Sequence, residues 1–451
     1  MSDLKKTLSL YGLTMVAIGS CIGSGIFLTP SIIADYLPNS LLIILVWALG
    51  GIITLTGALS LAELGSMYPK AGGVYVYLRE AYGDFMGFLY GWSYLTVINT
   101  GALAALSIAF ASYFSFIIPL SQTGITLVAV STIIIVTIVN IFRVKIAEMF
   151  SNVFTGLKLA GIALIIIIGM FMGNPGSIEW KASISTGEND SVIVLIGLAL
   201  VSVVWSFGGW QHASFLSGEA KNARKNIPRA MIIGALIVTL VYLAINIAYM
   251  SLLNLDEIVG TGSVAADAIS KVLPYGGLLI AIIIAISVFG TAGIYTLTAP
   301  RIYFAMARDG IFWKKIARVH PRYKTPVNAI LLQSVWAIVI LLLWGTFEDV
   351  ITYVVFTDWI FFTLAAVAVI VLRKKKKQMF RPYKTILYPV TPLIFIIISA
   401  FIVVNTFIQK PAQAWAGLIL IGIGYPVFRY FKKSSNKSRI NPDDKNQITN
   451  I

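Results

Sequence analysis

Gly19-Ser20-Cys21-Ile22-Gly23-Ser24-Gly25-Ile26-Phe27 interrupts an apolar run that extends from about residue 9 to residue 34. At bilayer depth a broken helix exposes backbone N–H and C=O groups, which are tolerated only where they bind something or line a wet cavity. The glycine break is therefore a candidate ligand site. The alternative reading of its glycines is close packing against a neighbouring helix, as small-xxx-small motifs provide.

The rest of the chain sets this break in a membrane. Of 451 residues, 58% are hydrophobic and only 12% charged, and the mean hydropathy of +0.86 lies outside the range of soluble domains. Crossing the hydrocarbon takes about 20 apolar residues. Twelve such runs occur, at 9–34, 41–66, 85–116, 123–142, 147–172, 191–218, 229–253, 275–306, 326–345, 349–372, 385–408 and 413–431. The connections are short, polar and broken by Pro69, Gly72-Gly73, Gly173-Asn174-Pro175 and Pro274, with no room for a soluble domain. The expected fold class is an all-α membrane protein with 12 transmembrane helices.

A net charge of +15 would suggest nucleic acid as the partner of a soluble protein, but here the basic residues cluster at the ends of the apolar runs. With the N-terminus in the cytoplasm, 30 of the 34 Lys and Arg residues fall on that side, leaving Lys181, Lys271 and Lys410 outside and Lys158 within a span. That asymmetry puts both termini in the cytoplasm, and nucleic acid is not an expected partner. The run Arg373-Lys374-Lys375-Lys376-Lys377 reads as a topological anchor, alternatively as a contact for anionic membrane lipid. Residues 432–451 read as a cytoplasmic tail, polar and disordered from Ser434 onward. Cys21 is the sole cysteine, which rules out an internal disulfide. Lys5 and Lys6 precede an apolar stretch too long for a removed signal peptide.

A second break, Trp205-Ser206-Phe207-Gly208-Gly209-Trp210, interrupts the sixth run. The first and sixth spans are five apart, so a second five-helix unit must enter the membrane from the opposite side, the inverted-repeat plan of secondary transporters. The units read as 1–172 (helices 1 to 5) and 191–372 (helices 6 to 10), followed by helices 11 and 12 over 385–431. At the first break the N–H groups of Ser24, Gly25 and Ile26 head the following half-helix and suit a carboxylate. Carbonyls around Ser20, Cys21 and Ile22, and those of Trp205 and Phe207, suit an ammonium. Donors and acceptors so close together match the zwitterionic end of an amino acid.

Lys158 lies about 11 residues into the fifth span, roughly 16 Å into a core about 30 Å thick, where an uncompensated charge costs at least about 2.5–3.5 kcal/mol. It needs a partner, or it titrates and couples protons. Asp358 in the tenth span is the other intramembrane charge that calls for a role. His212 follows the second break, where a proton relay is one reading, and His320 lies in a basic loop; two isolated histidines support neither a metal site nor a catalytic base. Glu63, near the inner end of the second span, reads as structural. With neither a His-Glu-x-x-His motif nor a Ser-His pair at plausible spacing, no enzyme is expected, and no cofactor or metal. Two breaks in one chain fit an occluded site better than a channel filter.

The chain resembles the amino acid-polyamine-organocation transporters, and among them the L-type amino acid transporters. The resemblance rests on Gly19 to Pro30, Tyr68-Pro69-Lys70-Ala71-Gly72-Gly73, Phe207-Gly208-Gly209-Trp210, Pro300-Arg301 leading to Ala307-Arg308-Asp309-Gly310, His320-Pro321 with Thr325-Pro326, and Arg381-Pro382-Tyr383. It implies the 5+5 inverted-repeat fold with helices 1 and 6 broken, alternating access, and substrate held by backbone at both breaks, including Gly208. It further implies that Trp205 gates the site and that Lys158 replaces the sodium of related carriers, bonding to Gly19 or Ile22 and to the eighth helix near Ser287 and Thr291. Asp358 matches a position facing the substrate side chain, with a supporting carboxylate as the alternative. Tyr242 and Asn99 are weaker candidates for polar contacts near the pocket, with a bond between helices as the alternative for each. The implied activity is sodium-independent exchange of small or neutral L-amino acids; proton symport and cationic amino acid or polyamine antiport are the alternatives. Animal relatives are linked to a heavy subunit through a cysteine between helices 3 and 4, a stretch that here runs from Ile117 to Gly124 without one, so no disulfide-linked subunit is expected. A bacterial plasma membrane is the expected location.

Overall fold

The computed structural model describes residues 4–142, 144–178, 180, 191–343 and 347–440. Among these residues, ten helices are long and apolar enough to cross a membrane. Two shorter apolar helices, Val192–Phe207 and Val327–Leu343, stand at the sixth and ninth positions and bring the series to the expected twelve.

Burial sorts the spans into centre and periphery. In the first span 83% of the most apolar window is buried, against 28% in the last, so the chain opens with its most enclosed element. The first span packs against the fifth (Val144–Met172), the seventh (Ala223–Leu252) and the eighth (Gly276–Thr298, continued by Pro300–Arg308). The second span (Ser40–Met67) lies along the seventh, and the third along the eighth. Peripheral spans turn Ile134, Ile138, Phe171 and Ile397 outward, as expected of helices whose solvent is lipid rather than water.

Both expected breaks are present. The first span divides into Leu10–Cys21 and Gly25–Tyr36. The sixth divides into Val192–Phe207 and a single turn, His212–Phe215, followed by a short 3₁₀ turn at Ser217–Glu219. Its second half is thus far shorter than a run to residue 218 implies, because Gly208–Gln211 leaves the helix entirely. The third span (Asp84–Ser93 and Asn99–Ser115) carries a π-helical segment at Tyr94–Ile98, a widening that apolar patterning does not reveal. The last helix, Pro411–Ile440, continues beyond the expected end at residue 431; residues 441–451 and Lys181 lie outside the described residues.

Two ion-pair clusters brace the basic end. Glu63 accepts from Arg373 (2.6 and 2.9 Å) and from the Thr385 N–H (2.8 Å), and Arg381 lies 3.3 Å away, so one buried carboxylate ties the second span to the connection between the tenth and eleventh. Arg301, grouped by sequence with the surface basic residues, is fully buried and pairs with the equally buried Glu219 at 2.9 Å. An isolated buried charge of this kind would be costly, whereas the two-pronged guanidinium–carboxylate pair satisfies both partners.

Candidate substrate site

Residues from the two breaks are bonded directly to each other. Ser20 Oγ donates to the Gly209 carbonyl (2.8 Å), and Thr29 and Ser206 share a hydroxyl–hydroxyl bond of 2.9 Å. Tyr242 OH lies 3.0 Å from the Cys21 carbonyl and 2.8 Å from that of Ser206, between the first half of the first span and the first half of the sixth. The Tyr242 ring is held by Trp47 (5.4 Å) and Phe207 (4.9 Å) in edge-on contacts. Such close approach requires glycine. Gly209 has φ +127°, and a Cβ there would stand 2.6 Å from the Ser20 carbonyl oxygen; a Cβ at Gly25 would meet Ser206 Cα at 2.7 Å.

Lys158 sits beneath the first break with no exposed surface. Its ammonium donates to the carbonyls of Gly19 (2.9 Å) and Ile22 (2.6 Å) and to Thr291 Oγ1 (2.7 Å). These three acceptors match its three protons. Thr291 accepts from Lys158 and has a single proton to give, within reach of the Ile22 (2.9 Å), Gly19 (3.1 Å) and Ser287 (3.1 Å) carbonyls. Ser287 Oγ lies 3.3 Å from the Ile22 carbonyl. One ammonium therefore links the first, fifth and eighth spans through neutral oxygens.

Beside the second break is a cavity of about 30 Å³, lined in part by Trp205, Gly208, Gln211, His212, Tyr295 and Asp358. That is the room of about one water, so in this form the cavity is closed to anything as large as an amino acid. Asp358 Oδ1 is buried here without a hydrogen-bond partner. His212 uses both ring nitrogens, Nε2 with Tyr94 OH (2.9 Å) and Nδ1 with Thr298 Oγ1 (2.6 Å), and packs on Tyr295. It thereby joins the second half of the sixth span to the third and eighth.

The structure separates the sequence-derived candidates into groups. Trp205, Phe207, Gly208 and Asp358 meet at the cavity. Lys158, Gly19, Ile22, Ser287 and Thr291 form the ammonium cluster. Several carbonyls expected to be free are already occupied. Cys21 accepts from the Gly23 N–H (2.9 Å) as well as lying within reach of Tyr242, Ile22 holds Lys158, and the Trp205 carbonyl accepts from the Gly208 N–H (3.0 Å). Ser20 and Tyr242 are clamps between the breaks in this closed form and do not line the cavity. The donor side is open: Phe27 and Leu28 close onto the Ser24 carbonyl, so the N–H groups of Ser24, Gly25 and Ile26 precede the first intrahelical bond. Ser24 Oγ is buried beside them without a partner, and so is the whole Asn99 amide, one residue past the π segment. Tyr94, Gln211 and His212 were missed as wall residues; the interrupted run around Gly208-Gly209 was the one signal that could have pointed to the latter two.

The model of the amino acid permease family matches residues 8–428. The chain belongs to the amino acid permease family. It is a multi-pass membrane transporter of amino acids. It is 34% identical over 438 residues to the serine/threonine exchanger SteT of Bacillus subtilis, covering 96% of this chain and 98% of that one. It is 33% identical to the human Asc-type amino acid transporter 1, covering 94% and 82%, and 32% identical to the human large neutral amino acids transporter small subunit 2, covering 94% and 80%. This permease carries its two breaks within the matched region.

Proposed function

We propose that this permease exchanges small neutral L-amino acids without sodium, by alternating access around the two breaks, with units 1–172 and 191–372 as the inverted repeats. The observation that carries the reading is the Lys158 ammonium, whose three bonds fill a pocket of neutral oxygens between the first and eighth spans with a fixed charge. A site so occupied has no need of a metal cation. The open N–H groups at Ser24 to Ile26 receive the substrate carboxylate, and the ammonium takes carbonyls at the breaks once the helices part. Trp205 is the gate. The exchanger from Bacillus subtilis, similar over nearly the whole length of both chains, favours exchange and a bacterial plasma membrane. The distribution of Lys and Arg favours cytoplasmic termini. The permease acts without a disulfide-linked subunit, since its one cysteine, Cys21, is buried in the first break.

Counterflow in proteoliposomes tests this. Internal serine or alanine is expected to stimulate uptake of labelled substrate at least severalfold, equally in sodium and choline media. Uptake driven by an inward proton gradient and indifferent to internal amino acid would instead establish symport.

The unpartnered Asp358 oxygen faces the space left for the substrate side chain, where it is placed to hydrogen-bond a substrate hydroxyl. Asp358→Asn is expected to weaken competition by serine and threonine relative to alanine by about tenfold, the equivalent of one hydrogen bond to a charged group. An unchanged ranking across a panel of amino acids would remove Asp358 from the pocket.

A further inference from the structure

Away from the substrate site, the inner ends of the broken spans are tied to the rest of the molecule. The N–H groups of Thr7 and Leu8 donate to the Glu219 carbonyl (2.9 and 3.0 Å), and the Lys221 N–H returns a bond to the Leu8 carbonyl (2.9 Å). The segment entering the first span is thus laced to the segment leaving the sixth. The Glu219 side chain extends the tie to the eighth span through its buried pair with Arg301. Beside this joint opens a cleft of about 410 Å³. Its walls come from both sides of the joint: Lys6 and Gly218 from the broken spans, Lys70 and Arg79 from the connection after the second span, and Arg308 and Asp309 from the end of the eighth.

Among the described residues, four cationic side chains line the cleft with one carboxylate, Asp309. That carboxylate is engaged by Arg79 (2.7 Å) and by Tyr75 OH (2.8 Å). Lys6 and Lys70 are exposed, and among the described residues neither makes an ion pair. Converging cations in a concave site match a phosphate, which offers several acceptor oxygens and more than one negative charge. The volume suits a phosphate-bearing group of small-ligand size rather than a whole lipid.

We propose that this cleft is a binding site for a phosphate-bearing anion, either a lipid headgroup or a soluble phosphate, held by Lys6 and Lys70. The bound anion spans the joint between the broken spans and the eighth, and so holds this end of the permease closed and slows exchange. The effect on rate rests on the alternating-access reading above; the binding does not.

The full-length permease in phosphatidylcholine nanodiscs is titrated with inorganic phosphate at constant ionic strength. In parallel it is placed in nanodiscs doped with phosphatidic acid, and bound anion is counted by native mass spectrometry. The wild type is expected to retain one phosphate or one phosphatidic acid, and Lys6→Gln/Lys70→Gln to bind it at least tenfold more weakly, while Lys6→Arg/Lys70→Arg keeps it. Retention of inorganic phosphate identifies a soluble ligand, and retention of phosphatidic acid alone identifies a lipid. In counterflow the same anion is expected to slow the wild type severalfold and leave the Gln variant unchanged. Equal binding by wild type and Gln variant, or binding of neither probe, overturns the site. Selective binding with no effect on counterflow overturns the closure and leaves the site standing.

Discussion

Lys158→Ala is expected to lower counterflow by about two orders of magnitude, a change of about 2.7 kcal/mol. Hydrogen bonds to a charged group are worth about 1.5–3 kcal/mol each, and the ammonium makes three, to Gly19, Ile22 and Thr291. Their loss is partly offset because a buried ammonium no longer has to be desolvated. Thr291 and Ser287 still reach the Ile22 carbonyl, whereas the Gly19 carbonyl keeps only the shared Thr291 proton. The first break therefore loses its fixed geometry rather than its fold. Lys158→Met separates charge from volume, since it fills the space and donates nothing. Both variants are to be compared with wild type in sodium-free counterflow from either face, after size-exclusion chromatography has shown them folded. Full activity of Lys158→Met would reduce Lys158 to a packing residue.

Gly209→Ala is expected to abolish measurable exchange and to lower the unfolding temperature. Its φ of +127° is a region that side chains rarely adopt, at a cost of about 1–3 kcal/mol. The added methyl would also lie 2.6 Å from the Ser20 carbonyl oxygen and 2.8 Å from the Cys21 N, both backbone atoms that cannot rotate away. Overpacking of this kind adds about 1–3 kcal/mol. The two breaks would be forced apart, with loss of the Ser20–Gly209 bond. Gly156→Ala is the control: that glycine lies in the fifth span with nothing within 4 Å of its would-be Cβ, and replacement there is expected to leave thermal stability and counterflow near wild type. Wild-type exchange by Gly209→Ala would mean that the contact between the breaks is dispensable.

How much of this was legible beforehand depends on how local the cause is. The helix breaks could be read directly, because glycine clusters inside an apolar run act within a few residues of chain. Lys158 could be read because its depth follows from counting along one helix. The hydroxyl of Tyr242, which reads either as a polar contact near the pocket or as a bond between helices, and that of Ser20 tie the two breaks together in this form. Nothing in their neighbourhoods distinguishes the two roles, since the acceptors of Ser20 and Tyr242 at the other break are distant in sequence. The partner of Arg301 is distant in sequence in the same way. An arginine at the end of an apolar run reads as a surface anchor, and only the approach of Glu219 makes its burial tolerable.

Composition and apolar run length alone determined that this chain crosses a membrane about twelve times, and the glycine clusters determined where two of those crossings break. Both follow from requirements that each segment meets by itself: covering the hydrocarbon, and satisfying or exposing its own backbone. The tertiary structure decided which freed backbone groups stay open. Carbonyls and hydroxyls at the breaks are taken first by whichever donor the packing brings within 3 Å, here Lys158 at Ile22 and Tyr242 at Ser206. The donors of Ser24 to Ile26 and the Asp358 oxygen are what that competition leaves unpaired.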